Sequence, residues 1–379
     1  MEVEGRIRYI DGCRAAAVLG VVVFHALFHA AWAQGAAGQG RLFVMILSQG
    51  AHGVDLFFVI SGFCLSYPTL AAHRKACDVR FQLDRFFAKR LVRIVPPYYA
   101  ALLSCILAVW IFKASHMHVP LGLDPNQSWA DVLFQALFWD HGAHLATPSF
   151  WTLFVEFRWY ALFPLLLTLW LRAPRAYGLL LFAVVVAYHW TRARSIDLGV
   201  LPAFMLGIVA ADFHIIEHPI RKYAPILTAA AFDIALLLEP FSSTPLPDGS
   251  EKYGFYTPAN IGWHFTCFFF MLSAGAWAPL RSLLAWRPLA FIGGASYSIY
   301  LLQQPIVSFF DENLVGALGA LPASALGCAA SVLGGIVFWF AIERPFCHGH
   351  PIYARLIPML RDKIGSLLEI AGIPRGFRL

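Results

Sequence analysis

The sequence predicts an all-α membrane protein: a polytopic helical bundle of about ten transmembrane helices with both termini in the cytoplasm. Three observations predict it. Of 379 residues, 59% are hydrophobic and only 13% are charged, against roughly 25% charged in soluble domains. Too little polar surface exists to cover the apolar residues in water. The apolar residues gather into ten runs, most of them near the roughly 20 residues a membrane span requires. The cations gather in alternate connections between those runs, as they do where cytoplasmic loops collect Lys and Arg.

The runs cover 9–33, 53–71, 97–113, 149–171, 177–190, 199–216, 224–239, 261–280, 289–311 and 321–342. The first is long enough to span and lacks a small-residue cleavage site, so it reads as a retained helix and not a signal peptide. The runs 177–190 and 224–239 are short, and 129–140 reads as a re-entrant or interfacial piece. With ten spans, Arg6, Arg8, the 72–96 loop from Arg74 to Arg93, Arg172, Arg175, Arg221, Lys222, Arg281, Arg287 and the arginines from Arg344 onward share one side. Arg41, Lys113, Arg192, Arg194 and Lys252 lie on the other. Residues 1–345 form one membrane domain and 346–379 a cytoplasmic C-terminal tail. The net charge of +6 follows from this sidedness and calls for no nucleic acid. Seven cysteines are scattered without a CxxC pair, which gives neither a disulfide framework nor a metal knuckle. His116, His118, His141 and His144 crowd the 114–148 loop, but none forms an i,i+4 pair with a partner carboxylate. They read as a solvated loop, with no metal expected. No internal repeat or low-complexity segment stands out.

Ionisable groups inside spans are costly and face partners or cavities. The opening stretch DGCRAAAVLGVVVFHA carries Arg14 and His25. Eleven positions bring them back to within about 20° of one helix face, about 16 Å apart along the axis. Asp55, in GVDLFFVISGF, enters from the outer side at a depth similar to His25. It fits either a carboxylate that orients an imidazole or a helix N-terminal acid favoured by the macrodipole. Gly53 and Gly62 suggest close helix packing. In FFAKRLVRIVPPYY, Arg90 and Arg93 share a helical face that Pro96-Pro97 terminates. The face suits either anionic lipid or the phosphates of a cytosolic cofactor. In SFWTLFVEFRWY, Glu156 stands i,i+4 from Thr152 and Tyr160, near the expected depth of His25 and Asp55, while Arg158 points away toward another carboxylate. GGASYSIYLLQQP sets Tyr297, Tyr300 and Gln304 near one face with Ser296 and Gln303 beside it, suited to a hydroxylated ligand or to helix contacts. Glu343-Arg344-Pro345 reads as a structural helix end.

Together and in this order, IDGCRA with Arg14 and His25, GVDLFFVISGF, Arg90-x-x-Arg93 before proline, WTLFVEFRWY, SYSIYLLQQP and ERPF resemble the acyltransferase-3 family of integral membrane acyltransferases. The resemblance covers nearly the whole chain. Cys13 stands where Leu is usual, Thr152 where Ser is common, and Gln303 where a His often follows the YL pair. The resemblance implies a multi-pass protein of the cell membrane, the bacterial inner membrane, with no appended esterase-like domain. It implies transfer of a short acyl group, often acetyl, from acyl-CoA to a hydroxyl of a sugar, glycolipid or small molecule. On that reading Arg14, Arg90 and Arg93 hold the nucleotide phosphates. A pantetheine arm, on the order of the 16 Å from Arg14 to His25, brings the thioester to His25. His25 is general base or nucleophile, and Asp55 or Glu156 supports it. Tyr160, Tyr297, Tyr300 and Gln303 are candidates for substrate contacts, the tyrosines 297 and 300 also as oxyanion donors. The partners are the acyl-CoA donor, the hydroxyl acceptor and membrane lipid. The alternative from the residues alone is a secondary transporter with His25, Asp55 and Glu156 as a proton relay, and a third is a non-catalytic scaffold led by the basic 72–96 loop.

Overall fold

The structure, a computed structural model, describes residues 7–33, 49–75, 79–139, 144–190, 196–238, 243–245, 251–253 and 258–379. Arg6, Arg41, Cys77, His141, Arg192 and Arg194 lie outside the described residues. Each of the ten apolar runs falls on helix. They are α1 (Arg8–Ala33), α2 (Gly53–Arg74), α3 (Leu83–Ala114), α5 (Trp151–Arg172), α6 (Pro174–Trp190), α7 (Ile196–Ile215), α8 (Ala224–Leu238), α9 (Pro258–Ala276) with α10 (Ala278–Leu284), α11 (Arg287–Gly294) with α12 (Ser296–Leu318), and α13 (Ala320–Phe338). A short helix α4 (Trp129–Ala136) lies within the 129–140 segment. Its first turn is closed by a capping box in which Ser128 and Asp131 satisfy each other's backbone N–H groups.

Among the described residues, six helices are long and apolar enough to cross a membrane: α1, α2, α3, α5, α7 and α13. The pair α9–α10, bent by 96° at Trp277, makes a seventh if it is one span, and α6 and α8 are shorter apolar helices. The chain is therefore an all-α protein with several membrane-spanning helices. The central element is α1, which touches α2, α9, α10, α11, α12 and α13.

Two expected boundaries differ. The run 289–311 is broken at Ala295 into α11 and α12, and α12 continues to Leu318. Polar residues Gln303, Gln304 and Asp311 lie on α12 and are buried, so its sequence reads as less apolar than its burial warrants. Pro96-Pro97 does not end a helix, because α3 runs through both prolines for 32 residues. Prolines remove two backbone donors from that turn. The Tyr297 hydroxyl donates to the Ile94 carbonyl there at 3.0 Å, the kind of outside support that lets broken turns persist in membrane helices.

The last residues are also ordered. Helix α14 (Pro351–Ile370) packs along α3. Strand β4 (Gly376–Arg378) pairs antiparallel with β1 (Arg80–Gln82), Phe377 opposite Phe81. A separate hairpin joins β2 (Ser243–Pro245) to β3 (Glu251–Tyr253). Two bidentate ion pairs fasten the helices. Arg74 on α2 meets Asp212 on α7 at 2.9 and 2.6 Å, with the Trp170 indole N–H donating to the same carboxylate at 3.0 Å. Arg158 on α5 meets Asp197 on α7 at 2.9 and 3.0 Å, the separate carboxylate partner its position suggested.

Helices α2 and α7 cross closely where Gly62 lies against Gly207. A Cβ on Gly62 would stand 2.2 Å from the Phe204 carbonyl oxygen, and one on Gly207 2.2 Å from that of Val59. Small residues permit such approach between membrane helices. Gly62→Leu is expected to cost at least about 3 kcal/mol, since overpacking here presses on backbone. Gly178, with nothing within 4 Å of its would-be Cβ, should accept Ala with unchanged or slightly higher stability. Thermal unfolding of the purified variants in detergent checks both.

Candidate active site

The stripe of α1 that begins at Arg14 passes through Val18 and Val21 to His25. Arg14 is fixed first. Its guanidinium donates to Asp11 at 2.8 Å and to the Cys64 sulfur on α2 at 3.3 Å. It opens on a cavity between α1, α2, α3, α5 and α12, with about 880 Å³ of empty space that includes open solvent. Arg90 and Arg93 of α3 also line this cavity, as do Ser61, Glu156, Tyr160, Tyr297 and Tyr300. The two helical faces carrying the three arginines thus converge on one space.

Most of the polar wall residues have a defined partner. Glu156 Oε1 accepts from Ser61 on α2 at 2.7 Å and from Tyr160, one turn along α5, at 2.6 Å. The Arg90 guanidinium lies 5.9 Å from the Tyr160 ring centre and 6.0 Å from that of Phe86, within cation–π range. Arg93 faces Glu343 at 3.9 Å. Glu343 is fully buried and accepts from the Ser298 hydroxyl at 2.6 Å and its N–H at 3.2 Å, at the start of α12. At the other end of the cavity Thr152 donates to the Tyr300 hydroxyl at 2.9 Å, and Tyr300 donates to the Ser149 carbonyl at 3.0 Å.

The cavity has an axis. Arg14, Cys64, Tyr160, Arg90 and Arg93 form its cationic end, Ser61 and Glu156 its middle, and Val54, Phe57, Thr152 and Tyr300 its far end. There it stops. Val18 and Val21, both buried, pack with Val54, Phe57 and Tyr300 into one apolar cluster, and the Phe57 and Tyr300 rings meet edge to face at 5.9 Å. His25 lies just past this cluster on the same stripe of α1 and does not line the cavity. Its Nδ1 is 3.0 Å from the Val21 carbonyl. A proton on Nδ1 donated to that carbonyl leaves Nε2 as the basic nitrogen.

The expected grouping of Asp55 and Glu156 around His25 is not what the structure builds. Asp55 is buried on α2 between two other histidines, His52 Nδ1 at 2.7 Å and His264 Nε2 at 3.3 Å. The His52 ring stacks on Trp263 at 4.3 Å. Depth explains the difference. The start of α2 meets α1 at Ala17, where a Cβ on Gly53 would contact the carbonyl oxygen at 2.3 Å, and His25 is eight residues, about 12 Å of helix, farther on. Glu156 falls on the arginine side of the Phe57–Tyr300 pair. Asp55 and Glu156 therefore keep separate sets of partners, and among the described residues neither meets His25 as a relay would need.

Of the residues chosen for substrate contact, Tyr160, Tyr297 and Tyr300 line the cavity. Gln303 is buried between α12 and α13, where Ser331 donates to its carbonyl at 3.3 Å, and it does not line the cavity. Ser61 and Cys64 join the site without having been singled out, and Glu343, read in the sequence as part of a structural helix end, joins it through Arg93. The His52-x-x-Asp55 spacing was visible in the sequence, whereas nothing in it pointed to His264. Among the described residues no three His, Cys, Asp or Glu side chains gather as a metal site. His144 meets Asp124 at 2.6 Å, and His118 meets Glu312 at 3.1 Å.

A bundle of membrane-spanning helices around a cavity lined by three arginines defines an integral membrane protein with a cationic pocket inside the bundle. The acyltransferase-3 family model, described as an acyltransferase domain, matches residues 7–340, and the chain belongs to that family. It is 24% identical over 332 residues to "Putative peptidoglycan O-acetyltransferase YrhL" of Bacillus subtilis (strain 168), covering 79% of this chain and 49% of the relative. It is 25% identical over 334 residues to "O-acetyltransferase OatA" of Staphylococcus aureus (strain NCTC 8325 / PS 47), covering 81% and 51%. The chain thus spans about half the length of these curated relatives. No solved structure matches.

The shared acceptor Glu156 Oε1 gives a test of the site's construction. Ser61→Ala and Tyr160→Phe are each expected to cost about 1–2 kcal/mol as hydrogen bonds to a carboxylate. They should couple by at least about 0.5 kcal/mol in a double-mutant cycle, because both act on one oxygen. Denaturation of the four proteins in detergent measures the coupling.

Proposed function

We propose that this chain is a membrane O-acyltransferase of the bacterial inner membrane, taking a short acyl group, acetyl foremost, from cytosolic acyl-CoA. The acceptor is a hydroxyl on a carbohydrate or glycolipid outside the membrane. The observation that carries this reading is the convergence of Arg14, Arg90 and Arg93 on one cavity whose α1 wall continues to His25. Guanidinium groups match phosphate oxygens in charge and fork geometry. The names of the relatives support the chemistry and, through the word peptidoglycan, a carbohydrate acceptor.

In this mechanism the donor's phosphates rest at the cationic end and its pantetheine arm runs past Ser61 and Glu156 toward Phe57 and Tyr300. The Phe57–Tyr300 contact parts to admit the thioester. His25 removes the proton of the acceptor hydroxyl as general base. The hydroxyl oxygen bonds to the thioester carbonyl carbon, the carbon–sulfur bond breaks, and the proton passes to the departing CoA thiolate. Glu156, held by Ser61 and Tyr160, keeps the cavity wall polar at mid-depth. Both termini and the arginine end face the cytoplasm in this arrangement, so donor and acceptor approach from opposite sides.

Radiolabelled acetyl-CoA with purified protein and a crude envelope glycan fraction tests the proposal. Label should enter the glycan as CoA is released, whereas a transporter would move solute in vesicles without consuming acetyl-CoA. His25→Ala is expected to lower kcat by about 100-fold or more with little change in donor binding. Arg14→Ala and Arg90→Ala should raise the donor KM and weaken its salt dependence. Equal loss of donor binding in His25→Ala and Arg14→Ala would refute the division of roles. A labelled protein trapped before acceptor is added, and lost in His25→Ala, would make His25 a nucleophile instead of a base.

A further inference from the structure

Helix α14 presents two kinds of surface. Leu356, Leu360, Ile364 and Leu368 are half-buried on the face turned to the body of the protein, where α14 packs along α3. Overlapping that face at Leu356, the residues Ile352, Met359, Leu367 and Ile370 fall within about 80° of one another and are exposed, Leu367 by 65% and Ile370 by 83%. Lys363 lies within the same arc and Arg355 at its rim, both exposed. Asp362 and Arg361 point elsewhere around the helix. An exposed apolar arc on a helix otherwise polar toward solvent needs a covering.

The position of α14 says what covers it. The preceding span ends in Trp339 and Phe340, and the Arg344 guanidinium lies 5.9 and 5.4 Å from their ring centres. Aromatic rings with an arginine reaching past them mark the level where a span leaves hydrocarbon. Helix α14 starts only seven residues after Arg344 and is then held down by the β1–β4 pairing. It has little freedom to leave that level. Arg80 on β1 and Arg85 at the start of α3 are exposed as well.

We propose that α14 lies in the head-group layer of the membrane that the protein spans, with Ile352, Met359, Leu367 and Ile370 immersed among anionic lipids. Arg344, Arg355 and Lys363 contact the lipid phosphates. The chemistry is that of an amphipathic helix lying in the interface, with apolar burial and cation–phosphate attraction acting together. The proposal does not depend on the acyltransferase mechanism. Its consequence for that mechanism is that the lipid surface buttresses α3, which carries Arg90 and Arg93.

Fluorophore quenching in nanodiscs tests it. A bimane label is placed at Ile370→Cys in the apolar arc or at Asp362→Cys on the solvent side, with the parent protein giving the background from native cysteines. The discs contain phosphatidylglycerol with doxyl spin labels near the head of the acyl chains. The label at 370 should be quenched at least about twofold more than that at 362. Replacing phosphatidylglycerol by phosphatidylcholine, or Lys363→Glu, should halve the excess. Both labelled positions are exposed, so neither is expected to disturb folding. Equal quenching at the two positions would overturn the membrane placement, as would a label at 370 shielded only when a second copy or another protein binds. Quenching indifferent to lipid charge would overturn the anionic partner.

Discussion

A guanidinium cannot rest inside a helical bundle without something to answer its charge, and much of this molecule is arranged around that constraint. Arg14 is answered by Asp11 and by the Cys64 sulfur, Arg93 by the buried Glu343, and Arg90 by the rings of Tyr160 and Phe86. None of these arrangements is a closed bidentate salt bridge of the kind that Arg74 makes with Asp212 or Arg158 with Asp197. Arg74 and Arg158 are matched by a carboxylate fork, whereas the cavity arginines are held by single, longer or aromatic contacts. The same residue type is therefore held in two ways, separated by how completely its partner matches it.

Glu343 shows how far such accounting reaches. It caps the start of α12 through Ser298 and faces Arg93 on α3, so one carboxylate ties the helix that carries Tyr297 and Tyr300 to the helix that carries Arg90 and Arg93. Read along the chain, the ERPF stretch is only a helix terminus. Its second role depends on a wider turn from Trp339 to Glu343 at the end of α13, which local sequence does not reveal.

Much of the fold was legible because a bilayer imposes length and polarity on each helix, and all ten apolar runs fall on helix. The arginine cluster was legible too, since helical spacing places Arg14 on a defined stripe and pairs Arg90 with Arg93. Relative depth between helices was not legible. Asp55 and His25 each lie toward the expected outer end of their own helix, yet the crossing at Ala17 and Gly53 sets them on different levels, and Asp55 turns to His52 and His264 instead. Proline also misled. The sequence marks Pro96-Pro97 as a stop, but the helix runs on, with a tyrosine 203 residues farther along the chain donating to the Ile94 carbonyl in that turn.

The apolar layer of Val18, Val21, Val54, Phe57 and Tyr300 leaves the cavity blind at its far end. Among the described residues this layer separates the titratable groups of the cavity from His25, so a proton passing from one to the other would have to cross apolar side chains.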